Sequence, residues 1–321
     1  MVKAYFDYVQ SHVFGLANKN NCAPVFIQGM NCIVIGCAEL ALIVNLKTGE
    51  VVKKLDAKKK TYVSCLELYE NSYNRNLAVG FEDGDIAVFD LAESSQKLDD
   101  EEFFLFSEHD APVTSITFNG NGAFMASGSM ENLVILWDVI GRSVKHKFTG
   151  HSAPVTSVKF YKNFKDSSDY ILSSSKDGCL RVWDIDTRRC IDIITSKKNE
   201  VLGLTQLTSQ HLKFVRNELF VATTNSEEVV FYEMKVTQST DAATKYHEEK
   251  GRFARNHYSS VLGIQAADSL GLLFLLSNQP FAYLRRRQID RDHQSEKQSR
   301  SRQQVQEKEK ESPRQTGNTG S

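Results

Sequence analysis

Short apolar runs separated by polar turns recur along most of the chain. The runs are rich in Val, Ile and Phe, and several turns contain Asp-Gly dipeptides, as at Asp83-Gly84 and Asp177-Gly178. Asp-Gly between two apolar runs is typical of a tight turn that joins antiparallel strands. The pattern therefore predicts an all-β protein built from many short hairpin-connected strands.

Two segments repeat the same landmarks in the same order. Each contains a histidine, two serines spaced by one residue, an acidic turn residue and a tryptophan followed by aspartate. In order, these landmarks are His109, Ser127, Ser129, Glu131 and Trp137 in the first segment and His151, Ser173, Ser175, Asp177 and Trp183 in the second. The histidines are 42 residues apart and the tryptophans 46. This period and the histidine-to-Trp-Asp signature predict blades of a WD40 β-propeller.

Weaker copies of the same unit extend the repeat in both directions. They cover residues 33–45, 77–90, 219–233 and 273–284, which brings the number of blade cores to six. A single blade cannot bury both of its faces, so radial stacking of blades is the expected solution. We predict a WD40 β-propeller at residues 1–284, with six blades of a probable seven and a polar insertion near 237–258. A charged tail, partly helical or disordered, is expected at 285–321.

The landmark residues are predicted to form a buried hydrogen-bonded tetrad in each blade. The chain would run from the Trp183 ring N–H to a serine hydroxyl, to the His151 imidazole and to the Asp177 carboxylate. Ser173 and Ser175 face the same side of a strand, so the sequence leaves open which one takes part. The corresponding set of the preceding blade has Glu131 at the acidic position. The blade before that has no histidine, and we expect partial networks in both.

Serine, histidine and aspartate together also suggest a hydrolase. However, the same set begins to repeat in successive blades, as a scaffold element does and a single active site does not. The sequence contains no G-x-S-x-G, P-loop or G-x-G-x-x-G motif. We therefore predict a protein that is not an enzyme, with no cofactor, no metal ligands and no small-molecule substrate.

Charge changes this picture only at the C-terminal end. The formal net charge is −1, but residues 285–321 hold ten Lys or Arg against six Asp or Glu. Arg285, Arg286 and Arg287 open this segment and are candidate contacts for RNA phosphates or nuclear import; the alternative is a solvated linker. The Lys58-Lys59-Lys60 run is interpreted as a solvated loop.

Cysteine usage and hydropathy bear on the compartment. The six cysteines form no C-x-x-C pair and mostly lie in apolar runs, which favours buried free thiols in a reducing compartment. The N-terminus lacks the apolar region of a signal peptide, and the apolar runs are too short to span a bilayer. We therefore expect an intracellular, soluble protein that does not engage membranes.

Four stretches resemble a known family. They are the opening residues 8–15, residues 77–84 with 126–140, and residues 261–287, where the last blade core meets the arginines. In these stretches the chain is similar to the tandem-propeller WD-repeat subunit of the UtpB complex, in the nucleolar small-subunit processome. The resemblance implies a scaffold for 18S pre-rRNA processing. Its implied partners are other processome subunits together with snoRNA or pre-rRNA, and its location is the nucleolus.

Two points follow from comparing the chain with that family. The family has a second propeller and a helical domain, so we expect this chain to be a fragment, a mis-predicted product or a reduced protein. A ring without its seventh blade would be open, with residues 4–16 free to pair with the missing blade. The competing hypothesis is a generic cytoplasmic WD40 adaptor that recognises peptides.

Overall fold

The computed structural model describes residues 22–27, 29–91, 103–162, 169–195, 200–207, 220–225, 228–234, 247–254, 261–267, 272–277 and 282–285. The elements in these ranges are all strands, and no helix occurs among them. Six antiparallel sheets appear in chain order at the six predicted blade cores, which are confirmed, and the four sheets of residues 25–195 have a WD40 propeller-like arrangement. The chain divides into two compact units, Met1–Leu202 and Gly203–Ser321.

The first unit contains four sheets of four strands, which we number as blades one to four. Their strands are β1 (Val25–Ile27), β2 (Cys32–Cys37), β3 (Leu40–Asn45), β4 (Val51–Leu55); β5 (Val63–Glu70), β6 (Arg75–Phe81), β7 (Asp85–Asp90), β8 (Phe103–Ser107); β9 (Val113–Phe118), β10 (Phe124–Ser129), β11 (Val134–Asp138), β12 (Ser143–Phe148); and β13 (Val155–Lys162), β14 (Asp169–Ser175), β15 (Cys179–Asp184), β16 (Arg189–Thr195).

The fifth sheet begins at the end of the first unit, and the sixth lies within the second unit. Their strands are β17 (Val201–Leu207), β18 (Phe220–Asn225), β19 (Glu228–Met234), β20 (His247–Ala254) and β21 (Val261–Ala267), β22 (Leu272–Ser277), β23 (Ala282–Arg285). Part of the predicted polar insertion, residues 247–254, is in fact β20, the last strand of the fifth sheet. β20 is at the edge of its sheet, and edge strands commonly contain charged residues, which explains why the hydrophobic pattern did not mark this strand.

Because neighbouring strands are antiparallel, the turns of each blade in the first unit are divided between its two ends. The turns between its first and second strands and between its third and fourth strands lie at one end, which we call the lower face. The turn between the second and third strands lies at the other end, the upper face, together with the segment that leads into the first strand.

Apolar side chains fill the spaces between successive blades. An aromatic residue of one blade's third strand packs against the outer strand of the blade before it. Trp137 contacts Phe106 of blade two and Trp183 contacts Phe148 of blade three, each with ring centroids 5.3 Å apart. Phe89 of blade two belongs to the corresponding cluster with blade one. These large buried rings hold the four blades at a fixed spacing.

Close approach between blades requires a small residue at one position of the second strand. Gly36, Gly80 and Gly128 each lie one residue before the end of that strand. A Cβ built on Gly128 would lie 2.5 Å from Val155 Cγ1 and 2.8 Å from Val158 Cγ2 of blade four. Glycine at this position therefore sets how closely the next blade's first strand can approach.

The first strands also make polar contacts. Lys159 Nζ of blade four lies 3.3 Å from Glu67 Oε1 of blade two, which connects two blades that are not neighbours in sequence. Ser115 Oγ accepts a hydrogen bond from the Val158 backbone N–H at 3.1 Å. The first strands of blades two to four are thus joined by polar contacts as well as by packing.

The six cysteines are all free, and Cys22, Cys32 and Cys65 are buried. Burial raises the pKa of the Cys22 thiol to about 12, so this group stays protonated at neutral pH. No helix among the described residues is long and apolar enough to cross a membrane. Residues 4–16, predicted to be free for pairing, and residues 286–321 of the predicted tail lie outside the described residues.

Candidate functional site

The landmark residues of blade four lie together in one hydrogen-bonded chain. The Trp183 ring Nε1–H donates to Ser173 Oγ at 2.8 Å, and Ser173 Oγ lies 2.8 Å from His151 Nε2. The other ring nitrogen, His151 Nδ1, is 2.9 Å from Asp177 Oδ2, which also accepts the Ser152 backbone N–H. This series of hydrogen bonds runs from the blade core to the upper face. It connects the segment before the first strand with the turn between the second and third strands.

Blade three contains the same chain with a glutamate at its outer end. Trp137 Nε1–H donates to Ser127 Oγ at 2.7 Å, and Ser127 Oγ is 2.7 Å from His109 Nε2. His109 Nδ1 lies 2.5 Å from Glu131 Oε1. The expectation of a partial network in this blade is therefore wrong. The longer glutamate side chain still reaches the imidazole and the Asp110 backbone N–H.

The structure distinguishes between the paired serines that the sequence left open. Ser173 and Ser127 lie in the chains, whereas Ser175 and Ser129 donate to the backbone carbonyls of Ala153 and Ala111 at 2.8 and 2.9 Å. Ser175 Oγ also accepts the Asp177 backbone N–H at 3.1 Å. The second serine of each pair thus fixes the acidic turn rather than the tryptophan.

Blade two fills the same positions with different chemistry. Lys59 lies four residues before the first residue of its blade's first strand, as His109 and His151 do in theirs, and Asp83 matches Glu131 and Asp177. Lys59 Nζ is 2.9 Å from Asp83 Oδ2 and also contacts Asp85. The prediction of a solvated lysine run is therefore wrong for Lys59, which is an ion-pair partner.

In blade two, apolar residues occupy the places that correspond to the serine and the tryptophan of the tetrads. Val79 occupies the place of Ser127 and Ser173, and Phe89 takes the place of the tryptophans, paired with Leu77 as Trp183 is with Ile171. Because Phe89 has no indole N–H, this position has no ring donor that needs a hydroxyl acceptor, and the apolar Val79 side chain suits it. The first valine of each first strand, Val63, Val113 and Val155, is the sequence signal that would have revealed this correspondence.

Burial controls the protonation of both network histidines. The side chains of His109 and His151 are 0% and 1% exposed. Burial lowers the pKa of both imidazoles, although hydrogen bonds to Glu131 and Asp177 act in the opposite direction. Neutral imidazole suits the geometry because one nitrogen donates to the carboxylate while the other accepts from the serine.

These lowered pKa values predict acid sensitivity. A histidine whose pKa is lower in the folded state than its unfolded value of about 6.5 favours folding above that pH. The stabilisation is lost as the pH falls below that value towards the folded-state pKa. We expect the melting temperature to fall between pH 7.5 and 5.0 in thermal melts, and the His109→Gln/His151→Gln variant to show a smaller decrease. An equal decrease in both proteins would contradict this assignment.

The remaining candidate residues lie elsewhere. Arg285 is the last residue of β23, opposite Leu272, and is not in a separate tail. Arg286 and Arg287 lie outside the described residues. Within the described ranges, no group of three His, Cys, Asp or Glu side chains is arranged to hold a metal ion.

Comparisons with known proteins place the chain among WD-repeat domains. The model of the family described as "Nucleolar protein 10-like, N-terminal domain" matches residues 22–245. U3 small nucleolar RNA-associated protein 12 of Saccharomyces cerevisiae is 27% identical over 221 residues, covering 64% of this chain and 22% of that protein.

Other curated relatives match shorter parts. COMPASS component SWD3 of Saccharomyces cerevisiae is 30% identical over 130 residues, covering 39% of this chain and 39% of that protein. Transducin beta-like protein 3 of Rattus norvegicus is 29% identical over 96 residues, covering 30% of this chain and 12% of that protein. The chain therefore spans well under half the length of each of these relatives.

Proposed function

This chain belongs to the family of the nucleolar protein 10-like N-terminal domain, and from that membership we propose that it is a nucleolar scaffold in small ribosomal subunit biogenesis. The observation that carries the proposal is the match of residues 22–245 to a nucleolar WD-repeat domain. The similarity to a U3 small nucleolar RNA-associated protein supports the same compartment and the same process.

The proposed mechanism is rigid display without bond chemistry. Buried aromatic residues hold blades one to four in fixed positions, the two tetrads fix blades three and four internally, and the exposed turns between strands are then available for partners. The partners proposed are other processome subunits and a snoRNA or pre-rRNA. The specific step proposed is the processing of the 18S rRNA precursor.

The geometry of the tetrads supports a structural role for their serine and histidine. Ser127 and Ser173 are 0% exposed, and each hydroxyl already accepts a tryptophan N–H. A serine nucleophile must be reachable by a substrate, and these hydroxyls are not. We therefore propose that the protein is not an enzyme.

Localisation and co-purification of the tagged full chain test the proposal. We expect a nucleolar signal and recovery of U3 small nucleolar RNA, and depletion should cause unprocessed 18S precursor to accumulate while the large-subunit rRNA is unaffected. A diffuse cytoplasmic signal without recovered U3 RNA would overturn the proposal and favour a peptide-recognising adaptor. The Lys58→Gly variant, altered at one exposed turn residue, is a control for tagging and expression.

A further inference from the structure

The fourth strand of each four-stranded sheet is an edge, because among the described strands it pairs with the third strand alone. An edge strand presents unpaired backbone N–H and C=O groups to which another chain could bind. Proteins commonly prevent such pairing with charged side chains or with β-bulges that twist the edge away. Four of these edges, β4, β12, β16 and β20, have both protections, and β8 of blade two has neither.

Charged side chains are the first difference between β8 and the other four edges. Each of the four has at least two of them, namely Lys53 and Lys54 of β4, Lys145 and Lys147 of β12, Arg189 and Asp192 of β16, and Glu248, Glu249, Lys250 and Arg252 of β20. β8 consists of Phe103-Phe104-Leu105-Phe106-Ser107 and contains neither a charged residue nor a proline. Its sequence therefore offers no barrier to strand pairing.

The register of pairing is the second difference. β4, β12, β16 and β20 each pair with the third strand of their sheet through a register shift of the kind that a β-bulge produces. β8 pairs with β7 without interruption, from Asp85 opposite Ser107 to Phe89 opposite Phe103. Because a bulge bends a strand and increases its twist, an edge without one is straighter. β8 is therefore the regular edge among these five.

Leu105 is the apolar side chain that this edge exposes most. It is 46% exposed and lies opposite Ala87, two residues before Phe89. The matching positions on the outer strands of blades one and three are lysines, Lys54 and Lys147. Blade two therefore presents an apolar contact where two other blades present a charge.

The length of β8 distinguishes between two kinds of occupant. Five residues at about 3.4 Å each give an edge of roughly 17 Å. A stable interface between two folded proteins uses roughly 20–30 residues on each side, so edge-to-edge pairing of two copies through β8 would be too small. A short extended segment needs no larger surface, because main-chain hydrogen bonds supply much of its affinity.

We propose that β8 binds an extended segment of a partner protein, which becomes a fifth strand of blade two. The main-chain groups of β8 pair with those of the segment, and apolar side chains at alternate positions of the segment pack on Leu105. Phe103 packs on Phe89 with ring centroids 5.4 Å apart, and Arg142 Cζ lies 3.3 Å from the centroid of the Phe104 ring. These contacts position β8 before the segment binds. The proposal names a binding surface for the scaffold and does not depend on its compartment.

The test begins with selection of phage-displayed random peptides of about twelve residues on the full chain. We expect enriched peptides to have apolar residues at alternate positions. A synthetic copy of the most enriched peptide is then titrated by fluorescence anisotropy. Leu105→Lys should weaken its binding by about tenfold or more, because the ammonium group replaces the apolar contact. The melting temperature should not change, because lysine occupies the matching position in blades one and three.

Ile193→Lys is the matched control. Ile193 occupies the same position of β16 and is also 46% exposed, but its strand has charges and a register shift. This variant should bind the peptide like the unaltered chain.

Backbone methylation of the peptide tests strand pairing directly. In an added strand, the N–H groups of alternate residues point towards β8. Of two peptides methylated at odd or at even nitrogens, one should lose binding and the other should retain it. Bound peptide should also slow amide hydrogen exchange in residues 103–107.

The proposal would be overturned by a selection that enriches no peptide, by equal peptide affinity of Leu105→Lys and the unaltered chain, or by equal binding of the two methylated peptides. Sedimentation velocity distinguishes the other occupant: self-association of the unaltered chain that Leu105→Lys abolishes would indicate a second copy and also overturn it. None of these outcomes affects the nucleolar scaffold proposal, which depends on localisation and co-purification. The two ideas can therefore fail separately.

Discussion

Replacing Trp183 with alanine is expected to lower the free energy of unfolding by about 3–5 kcal/mol, the range for a buried aromatic side chain. Trp183 is 2% exposed and packs on Phe148 of the preceding blade. Its removal opens a cavity between blades three and four and leaves Ser173 without its indole donor. Chemical denaturation followed by circular dichroism measures the loss.

Two control variants separate the causes of this loss. Trp183→Phe keeps an aromatic ring but removes the indole N–H and part of the buried ring volume, so we expect a smaller loss of about 1–3 kcal/mol. Lys60→Ala, at an exposed turn residue, should remain within about 0.5 kcal/mol of the unaltered chain. If Trp183→Ala and Lys60→Ala melted at the same temperature, the assignment of Trp183 to the blade core would be incorrect.

Blade two shows a natural alternative that can be transferred. The triple variant His151→Lys/Ser173→Val/Trp183→Phe gives blade four the side chains that blade two has at Lys59, Val79 and Phe89. A single change leaves a buried donor or acceptor without its partner, whereas the triple variant removes the tetrad's hydrogen-bonding partners together. We therefore expect the triple variant to lose less stability than the sum of its single changes.

The second large effect is expected at Gly128. An alanine Cβ would lie 2.5 Å from Val155 Cγ1, and both Val155 and Val158 are 0% exposed, so neither can move aside. We expect Gly128→Ala to lower the free energy of unfolding by about 1–3 kcal/mol and Gly128→Val to lower it further. Thermal and chemical denaturation would measure both.

Gly120 provides the matched control, because a Cβ built there meets no atom within 4 Å. Gly120→Ala should therefore leave stability nearly unchanged. Adding Val155→Ala to Gly128→Ala should recover part of the loss by removing the methyl group that clashes. Equal stability of the two single glycine variants would show that the blades are not spaced by this contact.

The sequence was informative where a chemical landmark repeats. His109, Trp137, His151 and Trp183 have distinctive side chains at a fixed period, so the blade architecture and the order of the tetrad could be predicted. Family membership could be anticipated less directly, from stretches that resemble a nucleolar WD-repeat subunit.

Other features were not predictable because they depend on geometry between strands. Ser173 and Ser175 have identical side chains on the same side of a strand, and only their distances to Trp183 and to the Ala153 carbonyl tell them apart. The Lys59–Asp83 ion pair has an acidic residue where the tetrads have one, but a lysine in place of the histidine. Its equivalence to the histidine–carboxylate pairs therefore appears only when the strand ends are aligned.

The tetrads have a consequence for how the protein can be observed. Trp137 and Trp183 are the two tryptophans of the chain, and each belongs to a different blade. Their rings lie 6.0 and 6.2 Å from the imidazoles of His109 and His151. In Trp137→Phe the indole emission reports on blade four alone, and in Trp183→Phe on blade three alone. Without an added dye, the protein thus carries two optical probes that reveal whether adjacent blades lose their structure in one step or in succession.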